Sequence, residues 1–425
     1  MGLNLAILLL CYLPTFQGGR EQTDVSKQSE AHQMFLLRDE LRRHPDSPDF
    51  YSGQVACAFN ETAACEEKFK KVIAADSNPF TAKQVAKQVH DILTNAFLRE
   101  GRYARAFGEI DALLAADPND QDAKDTRPLL EVLSHFPDQA VPENGTSKAT
   151  AQLDDLNLPL LINGKKASYF FDTGANLSVL TESEALRLGM EINEVKSTAS
   201  DINGNKFSIR LAVARSLSLG GVEVDNVAFL VAANDQEPFA GAEPGKGGLI
   251  GLPVLRAFGS IKWTRGGKVE VDRTPRPANI TAANLFFDDL LLIAEASFQR
   301  NKLPFTFDTG ATTTDLWPKF ADVAGDLARK FGTRKTHTVT GFGGSEKYEV
   351  TSLPQVILGL GGRSVILRPA HILPTQQREQ RKWFYGNLGE DLLGQTQYVS
   401  IDFRTMTLEL GPPIRHRRRP SSSKR

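Results

Sequence analysis

The pentapeptide FDTGA occurs twice in the chain, at residues 171–175 and again at residues 307–311. The chain downstream of each copy also repeats, because an apolar residue and a glycine come about eighty residues after each aspartate, as Ile250-Gly251 and Leu388-Gly389. Matched strand patterns come next, at residues 259–263 and 399–403. The two parts of the chain are therefore predicted to be diverged copies of one β-rich unit.

Each aspartate of the repeat is predicted to lie in a loop between strands. Residues 158–171 read LPLLINGKKASYFF, two apolar runs separated by Asn163-Gly164. Asn-Gly tolerates the positive φ angles of a type I′ turn, so this segment predicts a hairpin that leads directly into Asp172. A second strand resumes at Val179, and Thr181 with Glu184 forms the capping box of a short helix.

These two loops and their apolar-glycine steps resemble the paired halves of an aspartic peptidase, and each half resembles a retropepsin-type unit. The resemblance spans residues 153–412. It implies a bilobal, mostly β domain in which the two Asp loops meet between lobes. Carried over to this chain, it implies a catalytic dyad of Asp172 and Asp308, bracing threonines Thr173 and Thr309, and glycines Gly174 and Gly310 that permit the close approach of the loops.

The chemistry of such a dyad requires two carboxylates within hydrogen-bond reach. Because both cannot ionise easily, they share one proton and titrate as a pair. The ionised member deprotonates a water that attacks the peptide carbonyl, and the protonated member stabilises the oxyanion. This chemistry needs no metal and no cofactor, and the sequence does not assign which aspartate is the base.

Two further features of the resemblance concern the substrate and the acidity of the dyad. Flap tips are predicted at Asn203-Gly204 and at Phe342-Gly343, although both are also ordinary hairpin turns. Ala175 and Ala311 stand where pepsin-like enzymes have a hydroxyl donor, which predicts a mildly acidic optimum. Asn387, a polar residue before Leu388-Gly389, is expected to disturb the packing of the second lobe.

The beginning of the chain resembles a secretory leader. Residues 1–19 carry no charge and contain an apolar run too short to span a bilayer. Removal of this signal peptide would give a secreted or periplasmic protein that retains Cys57 and Cys65. An exported chain can join this pair in one disulfide, and two buried thiols on neighbouring helices are the alternative.

Helical periodicity dominates residues 20–137. Val85, Val89, Ile92 and Ala96 share one helix face, and Tyr103, Phe107, Ile110 and Leu114 share another. The segment resembles tetratricopeptide-type (TPR-like) helical hairpins, although its repeat is irregular. It is predicted either to bind a protein partner or only to pack on a neighbouring domain.

The remaining segments are defined by composition. Residues 138–152 and 276–283 are predicted linkers on either side of the first peptidase lobe at 153–275, and the second lobe is predicted at 284–412. Residues 413–425 form a basic tail that is predicted to be disordered. The whole is a multidomain α and β chain.

The composition excludes several classes of protein. With 41% hydrophobic residues, and 50 Lys and Arg nearly balanced by 51 Asp and Glu, the chain is neither disordered throughout nor a polyanion binder, so no nucleic-acid partner is expected. The histidines and cysteines do not have zinc-site spacing.

The favoured function is an aspartic endopeptidase, a monomer with lobes paired within one chain, that hydrolyses peptide or protein substrates bound as an added strand. The alternatives are a non-catalytic peptide-binding protein on the same fold and an interaction scaffold built on the helical domain.

Overall fold

The computed structural model describes residues 24–75, 79–200, 206–277, 279, 281–341, 344–374 and 382–414. Helices fill the first part of this region and strands dominate the rest. The N-terminal helices are α1 (Asp24–Glu30), α2 (Met34–Arg43), α3 (Asp49–Ala58), α4 (Thr62–Ala75), α5 (Pro79–Glu100), α6 (Tyr103–Ala116) and α7 (Gln121–Ser134). The leader predicted at residues 1–19 lies outside the described residues.

The apolar faces predicted for residues 85–96 and 103–114 become the buried faces of α5 and α6. Val89 and Ala96 are buried on α5, as are Tyr103 and Ile110 on α6. Asp120 begins α7 because its side chain accepts a hydrogen bond from the amide of Ala123, which satisfies an otherwise unpaired helix donor.

The helical region shares hydrophobic cores with the β region and does not stand apart as a separate domain. Phe35 of α2 packs edge-on against Phe286, with ring centroids 4.8 Å apart. The Tyr103 hydroxyl of α6 donates to the carbonyl of Asn226 at 2.9 Å and accepts from the amide of Ala228 at 3.1 Å. The helices therefore form one packed unit with the strands that come after them.

Two sheets carry the repeated loops. The strands of the first sheet, lobe 1, are β2 (Asn157–Ile162), β3 (Lys165–Phe171), β4 (Ser178–Thr181), β5 (Asn193–Ser200), β6 (Lys206–Leu219), β7 (Val222–Ala232) and β8 (Gly248–Ile250), with helices α8 (Glu182–Arg187) and α9 (Leu252–Ala257). The strands of the second, lobe 2, are β11 (Leu285–Asp288), β12 (Leu291–Phe298), β13 (Asn301–Phe307), β14 (Asp315–Leu316), β15 (Thr333–Gly341), β16 (Gly344–Leu353), β17 (Val356–Leu360), β18 (Arg363–Leu367), β19 (Ala370–Ile372) and β20 (Gly386–Leu388), with α10 (Phe320–Phe331) and α11 (Glu390–Leu393).

Both lobes have the same order of strand pairing. Lobe 1 runs β5-β6-β7-β4-β8-β3-β2, and lobe 2 runs β15-β16-β19-β14-β20-β13-β12 before the hairpin β17-β18. In each lobe the strand before the FDTGA loop pairs in parallel with the strand of the apolar-glycine step, through Phe171 with Ile250 and Phe307 with Leu388. The sequence repeat is thus matched by a repeat of topology.

A third sheet joins the lobes, with the order β1-β10-β9-β21-β22. Its strands are β1 (Lys148–Gln152), β9 (Ser260–Thr264), β10 (Lys268–Asp272), β21 (Tyr398–Asp402) and β22 (Thr407–Leu410). Strands β9 and β21 pair antiparallel along five residues each, from Ser260 with Asp402 to Thr264 with Tyr398. The two chain segments after the apolar-glycine steps therefore hold the lobes together.

The prediction of a linker at residues 138–152 is wrong for the C-terminal end of this segment. Lys148–Gln152 form β1, which pairs antiparallel with β10 at the edge of the joining sheet. An edge strand is held by its backbone, so the low apolar content that suggested a linker does not prevent pairing. The second lobe also extends past its predicted end at residue 412, because the Ile414 amide donates a hydrogen bond to the Gln395 carbonyl at 3.0 Å.

None of the helices in the described ranges has the length and apolar character needed to cross a membrane. The tail residues 415–425 lie outside these ranges.

Candidate active site

The lobe 1 loop begins where β3 ends at Phe171. The Asp172 amide donates to the carbonyl of Ile250 at 2.9 Å, which ties the loop to the apolar-glycine step. The side chain of Asp172 is fully buried. Its Oδ1 accepts a hydrogen bond from the Gly174 amide at 2.7 Å, so the loop backbone fixes the orientation of the carboxyl group.

The lobe 2 loop repeats this arrangement. The Asp308 amide donates to the carbonyl of Leu388 at 3.0 Å. The amides of Gly310 and Ala311 donate to Asp308 Oδ1 at 2.9 and 3.1 Å, and the side chain is almost fully buried. Both aspartates therefore occupy equivalent positions at the ends of equivalent strands.

The two glycines of the apolar-glycine steps allow the loop backbones to pack tightly. A Cβ on Gly251 would lie 2.8 Å from the carbonyl oxygen of Ala175, and one on Gly389 would lie 2.8 Å from that of Ala311. The Gly251 amide donates to Ser178 Oγ at 3.0 Å, and the Gly389 amide donates to Thr314 Oγ1 at 2.9 Å. Only a residue without a side chain fits these positions, which explains the repeated glycine.

The threonines of the two loops bond across the interface between the lobes. Thr173 Oγ1 donates to the carbonyl of Phe307 at 2.8 Å, and Thr309 Oγ1 donates to the carbonyl of Phe171 at 3.0 Å. Each hydroxyl also accepts from the backbone amide of the other threonine. Both side chains are buried, so these bonds are shielded from water.

The lobe 1 loop closely approaches the carboxyl group of Asp308. A Cβ on Gly174 would lie 2.7 Å from Cγ of Asp308, closer than any real side-chain contact. The backbone of Gly174 therefore passes directly beside the carboxyl group of the opposite loop. Asp172 lies two residues before this contact in the same loop.

Asn387 contributes a hydrogen bond that the sequence did not predict. Its Nδ2 donates to Asp308 Oδ2 at 3.0 Å, and its Oδ1 accepts from Thr306 Oγ1 at 2.6 Å. The neighbouring Leu388 is fully buried. The expectation that Asn387 disturbs the packing of the second lobe is therefore wrong at this point. Lobe 1 has Leu249 in the equivalent position, and its side chain cannot donate.

A histidine pair lies next to Asn387 in lobe 2. Asp315 pairs with Asn387 in the register of β14 and β20, and its Oδ1 lies 2.9 Å from His337 Nε2. The hydrogen bond and the charge of Asp315 raise the pKa of His337. His371 stacks on His337 at 4.5 Å between ring centroids, and burial together with the charge of His337 lowers the pKa of His371.

A cavity of about 210 Å³ lies between the lobes beside the two FDTGA loops. Phe170 and Phe171 line it from lobe 1, and Thr309 and Gly310 line it from lobe 2. Glu390 also faces this space, and burial raises the pKa of its carboxyl group.

The remaining predicted site residues are the four flap residues and the two cysteines. The flap residues Asn203, Gly204, Phe342 and Gly343 lie outside the described residues. Cys57 and Cys65 form a disulfide between α3 and α4, with their Cα atoms 5.1 Å apart. Of the two alternatives open at the sequence level, the structure has the bonded pair.

Residues 158–254 match the family model of aspartyl proteases. This match makes residues 158–254 similar to aspartyl proteases. The matched range contains the Asp172 loop and the Ile250-Gly251 step, while the lobe 2 loop lies beyond it. Among solved structures, the chain is similar to a retropepsin-like aspartic protease from Rickettsia conorii, with 18% identity and a TM-score of 0.23, over 32% of this chain and 92% of that chain. No curated protein matches the sequence.

Proposed function

We propose that this chain is an aspartic endopeptidase whose dyad is formed by Asp172 and Asp308 of its own two lobes. The observation that carries the proposal is the set of reciprocal bonds between Thr173 and Thr309, which couples the two Asp loops within one chain. Because both carboxyl groups are buried at this junction, they cannot both ionise easily and are expected to share one proton.

In the proposed reaction the ionised carboxylate of the pair removes a proton from a bound water, whose oxygen forms a bond to the peptide carbonyl carbon. The protonated carboxyl group gives its proton to the carbonyl oxygen and so stabilises the tetrahedral intermediate. The carbon–nitrogen bond then breaks as the amine nitrogen takes the proton from the first carboxyl group, and a hydroxyl of the intermediate returns a proton to the second, so the pair regains its starting state. The amides of Gly310, Ala311 and Asn387 donate to Asp308 and hold its carboxyl group in position.

The test is cleavage of a diverse peptide library between about pH 3 and 7, the range in which a carboxyl pair can share a proton. The wild-type chain is compared with Asp172→Asn and Asp308→Asn, and with the exposed Asp326→Asn of α10 as a matched control. Each dyad variant should lose at least about a hundredfold in rate while its circular dichroism is unchanged, and the control should retain full activity.

Three results would contradict the proposal. A wild-type chain that binds peptides without cleaving them would favour the non-catalytic peptide-binding alternative. Loss of activity in one dyad variant alone would mean that the lobes do not form a joint site. Specific activity that falls on dilution would replace pairing within a monomer by pairing between chains.

Export to an oxidising compartment forms part of the proposal. The Cys57–Cys65 disulfide supports it, since such bonds persist mainly outside the cytosol. The test is whether residues 1–19 direct a reporter enzyme out of the cell and are removed in the process.

A TPR-like role of the helices in binding a protein partner remains a proposal. The packing of α2 and α6 against the lobes supports the alternative, a supporting role within one unit.

A further inference from the structure

The cavity of about 210 Å³ between the lobes adjoins both FDTGA loops. Its lining includes the two residues directly before Asp172 and the two residues directly after Asp308. Its volume lies below the range of about 300–1,000 Å³ that is typical of sites for whole small ligands, so it suits a single side chain. Because an extended peptide advances about 3.3 Å per residue, a residue a few positions from a scissile bond at the loops would lie near this cavity.

Most of the cavity wall is apolar. The apolar lining residues are Leu156, Phe170, Phe171, Trp263 and Leu393. Leu156 and Phe170 are half-buried, so part of each side chain is accessible to another molecule. Burial of the methylene groups of a ligand against such a wall is favourable, and aromatic rings in the wall also attract a cation placed over them.

Glu390 differs from the rest of this wall. Of the described residues that line the cavity, it alone is charged. No side chain in the described part of the chain forms a hydrogen bond or an ion pair with its carboxyl group. Burial raises the pKa of this carboxyl group, because the charged form is poorly solvated there. A cation in the cavity would supply a partner for the carboxylate.

A comparison of the two lobes shows that the fold does not require a carboxyl group at this position. Leu252 is the equivalent residue of lobe 1, directly after Gly251, and it is 1% exposed. The Leu252 amide donates to the carbonyl of Ala175 at 2.9 Å. The Glu390 amide donates to the carbonyl of Ala311 at 2.8 Å, so the backbone has the same role in both lobes. Only the side chain differs, and the carboxyl group is therefore available for a function other than folding.

The composition of the wall favours a basic side chain over other ligands. Within the described ranges, no group of three His, Cys, Asp or Glu side chains could hold a metal ion. A purely apolar side chain would bury the carboxylate of Glu390 further without pairing it, which costs free energy. Lysine and arginine combine an apolar stem, which suits the wall, with a cationic group, which suits the carboxylate.

We propose that this cavity is a specificity pocket for a lysine or arginine side chain of the peptide substrate, with Glu390 as the residue that recognises the positive charge. The stem of the basic side chain packs against Leu156 and Phe170, and its cationic group pairs with Glu390. This inference rests on the endopeptidase function proposed above and adds the class of substrate. It requires a basic residue at one fixed distance from the scissile bond.

The experiment uses mixtures of hexapeptide amides in which one position at a time is fixed as lysine, arginine or norleucine. Norleucine keeps the aliphatic stem of lysine and lacks the ammonium group. At one position the wild-type chain should cleave the lysine and arginine mixtures at least about tenfold faster than the norleucine mixture. Glu390→Gln should cleave the three mixtures at rates within about twofold of each other. Glu390→Leu, which reproduces the residue of lobe 1, should prefer norleucine.

A control and a second readout accompany this comparison. The exposed Glu67→Gln of α4 removes the same charge from the surface of the helical region and should keep the wild-type preference. Binding of the same mixtures to the full chain carrying Asp172→Asn needs no cleavage. The basic mixtures should bind at least about tenfold more tightly than the norleucine mixture, and addition of Glu390→Gln should remove this difference.

The outcomes separate this pocket from the endopeptidase function. Equal cleavage of the three mixtures at every position would overturn the pocket and leave the endopeptidase function intact. A preference for basic residues that Glu390→Gln retains, or that Glu67→Gln loses equally, would do the same. A chain that cleaves no mixture but binds the basic ones through Glu390 would contradict the endopeptidase function alone. Absence of both cleavage and binding would overturn both proposals.

Discussion

Thr173 and Thr309 hold each other by exchanging backbone hydrogen bonds. The amide of Thr173 donates to Thr309 Oγ1 at 3.0 Å, and the amide of Thr309 donates to Thr173 Oγ1 at 3.1 Å. Because each hydroxyl also donates to the carbonyl before the opposite aspartate, neither loop is complete without the other. The position of one carboxyl group is therefore coupled to that of the other.

Replacing either threonine by valine should destabilise the lobe interface. Thr173→Val and Thr309→Val each keep the shape of the side chain but leave a buried amide and a buried carbonyl unpaired. We expect a loss of about 1–3 kcal/mol in the free energy of unfolding for each, measured by urea denaturation. The double variant should lose less than the sum of the two, because the first substitution loosens the loop junction on which the other hydroxyl's two hydrogen bonds also depend.

Thr313→Val, at an exposed position in the same loop, is the matched control and should change stability by less than about 0.5 kcal/mol. Strict additivity of the two interface variants would contradict the coupling.

Asn387 should position the Asp308 carboxyl group for the proposed reaction. In Asn387→Leu this carboxyl group loses the amide donor at 3.0 Å, so one of its oxygens is no longer held by that hydrogen bond. The rate of peptide cleavage should therefore fall by about tenfold, the effect of losing one hydrogen bond of about 1.4 kcal/mol. The measurement is kcat and KM for one peptide substrate.

The leucine in this variant reproduces the residue that lobe 1 carries at position 249. Asn387→Gln, which retains an amide, should lie closer to the wild type. An unchanged cleavage rate with reduced stability would show that Asn387 acts through packing alone.

The sequence predicts the elements near the dyad well because the relevant signals are local or repeated. The hairpin at Asn163-Gly164 forms with positive φ at both residues, and Thr181 accepts a hydrogen bond from the Glu184 amide at the start of α8. The FDTGA repeat predicts the equivalent loops because tight backbone packing permits few residues at Gly251 and Gly389.

Features that depend on distant contacts could not be predicted in this way. Asn387 lies 79 residues from Asp308 along the chain, so nothing in its neighbourhood indicates its partner. The strand at residues 148–152 has the composition of a linker, and only its neighbour β10 makes it a strand. A cavity of about 380 Å³ is lined both by N-terminal helices and by the turn between β11 and β12, which the sequence pattern divides into separate domains.

His337 should stabilise the protein more at acidic than at alkaline pH. Its hydrogen bond to Asp315 raises its pKa, so the protonated form is favoured in the folded state. This stabilisation is fully present below the unfolded value of about 6.5 and is lost as the pH rises through the folded pKa. The stability difference between wild type and His337→Gln should therefore be larger at about pH 5.5 than at about pH 8.5.

Urea denaturation at both pH values provides this comparison. The neighbouring His371 and Lys335 should reduce the effect, because both also carry or can acquire positive charge near His337. A larger effect of His337→Gln at alkaline pH would contradict the assignment.

Tyr103 should couple the unfolding of the helices to that of lobe 1. In Tyr103→Phe the carbonyl of Asn226 and the amide of Ala228 lose their bonds to the hydroxyl, at a cost of about 1–3 kcal/mol. Trp263 and Trp317 lie in the β region, whereas Trp383 stacks on His32 of the helical region. In a Trp383→Phe background, tryptophan fluorescence therefore reports on the strands, while circular dichroism at 222 nm reports mainly on the helices. Because the helices and strands share their cores, both signals should shift to lower urea concentration by the same amount. Tyr398→Phe, at a half-buried tyrosine whose hydroxyl bonds to Glu409 at the surface, should shift neither. A shift of the dichroism signal alone would mean that the helical region unfolds independently, and the helices would then be a separate domain after all.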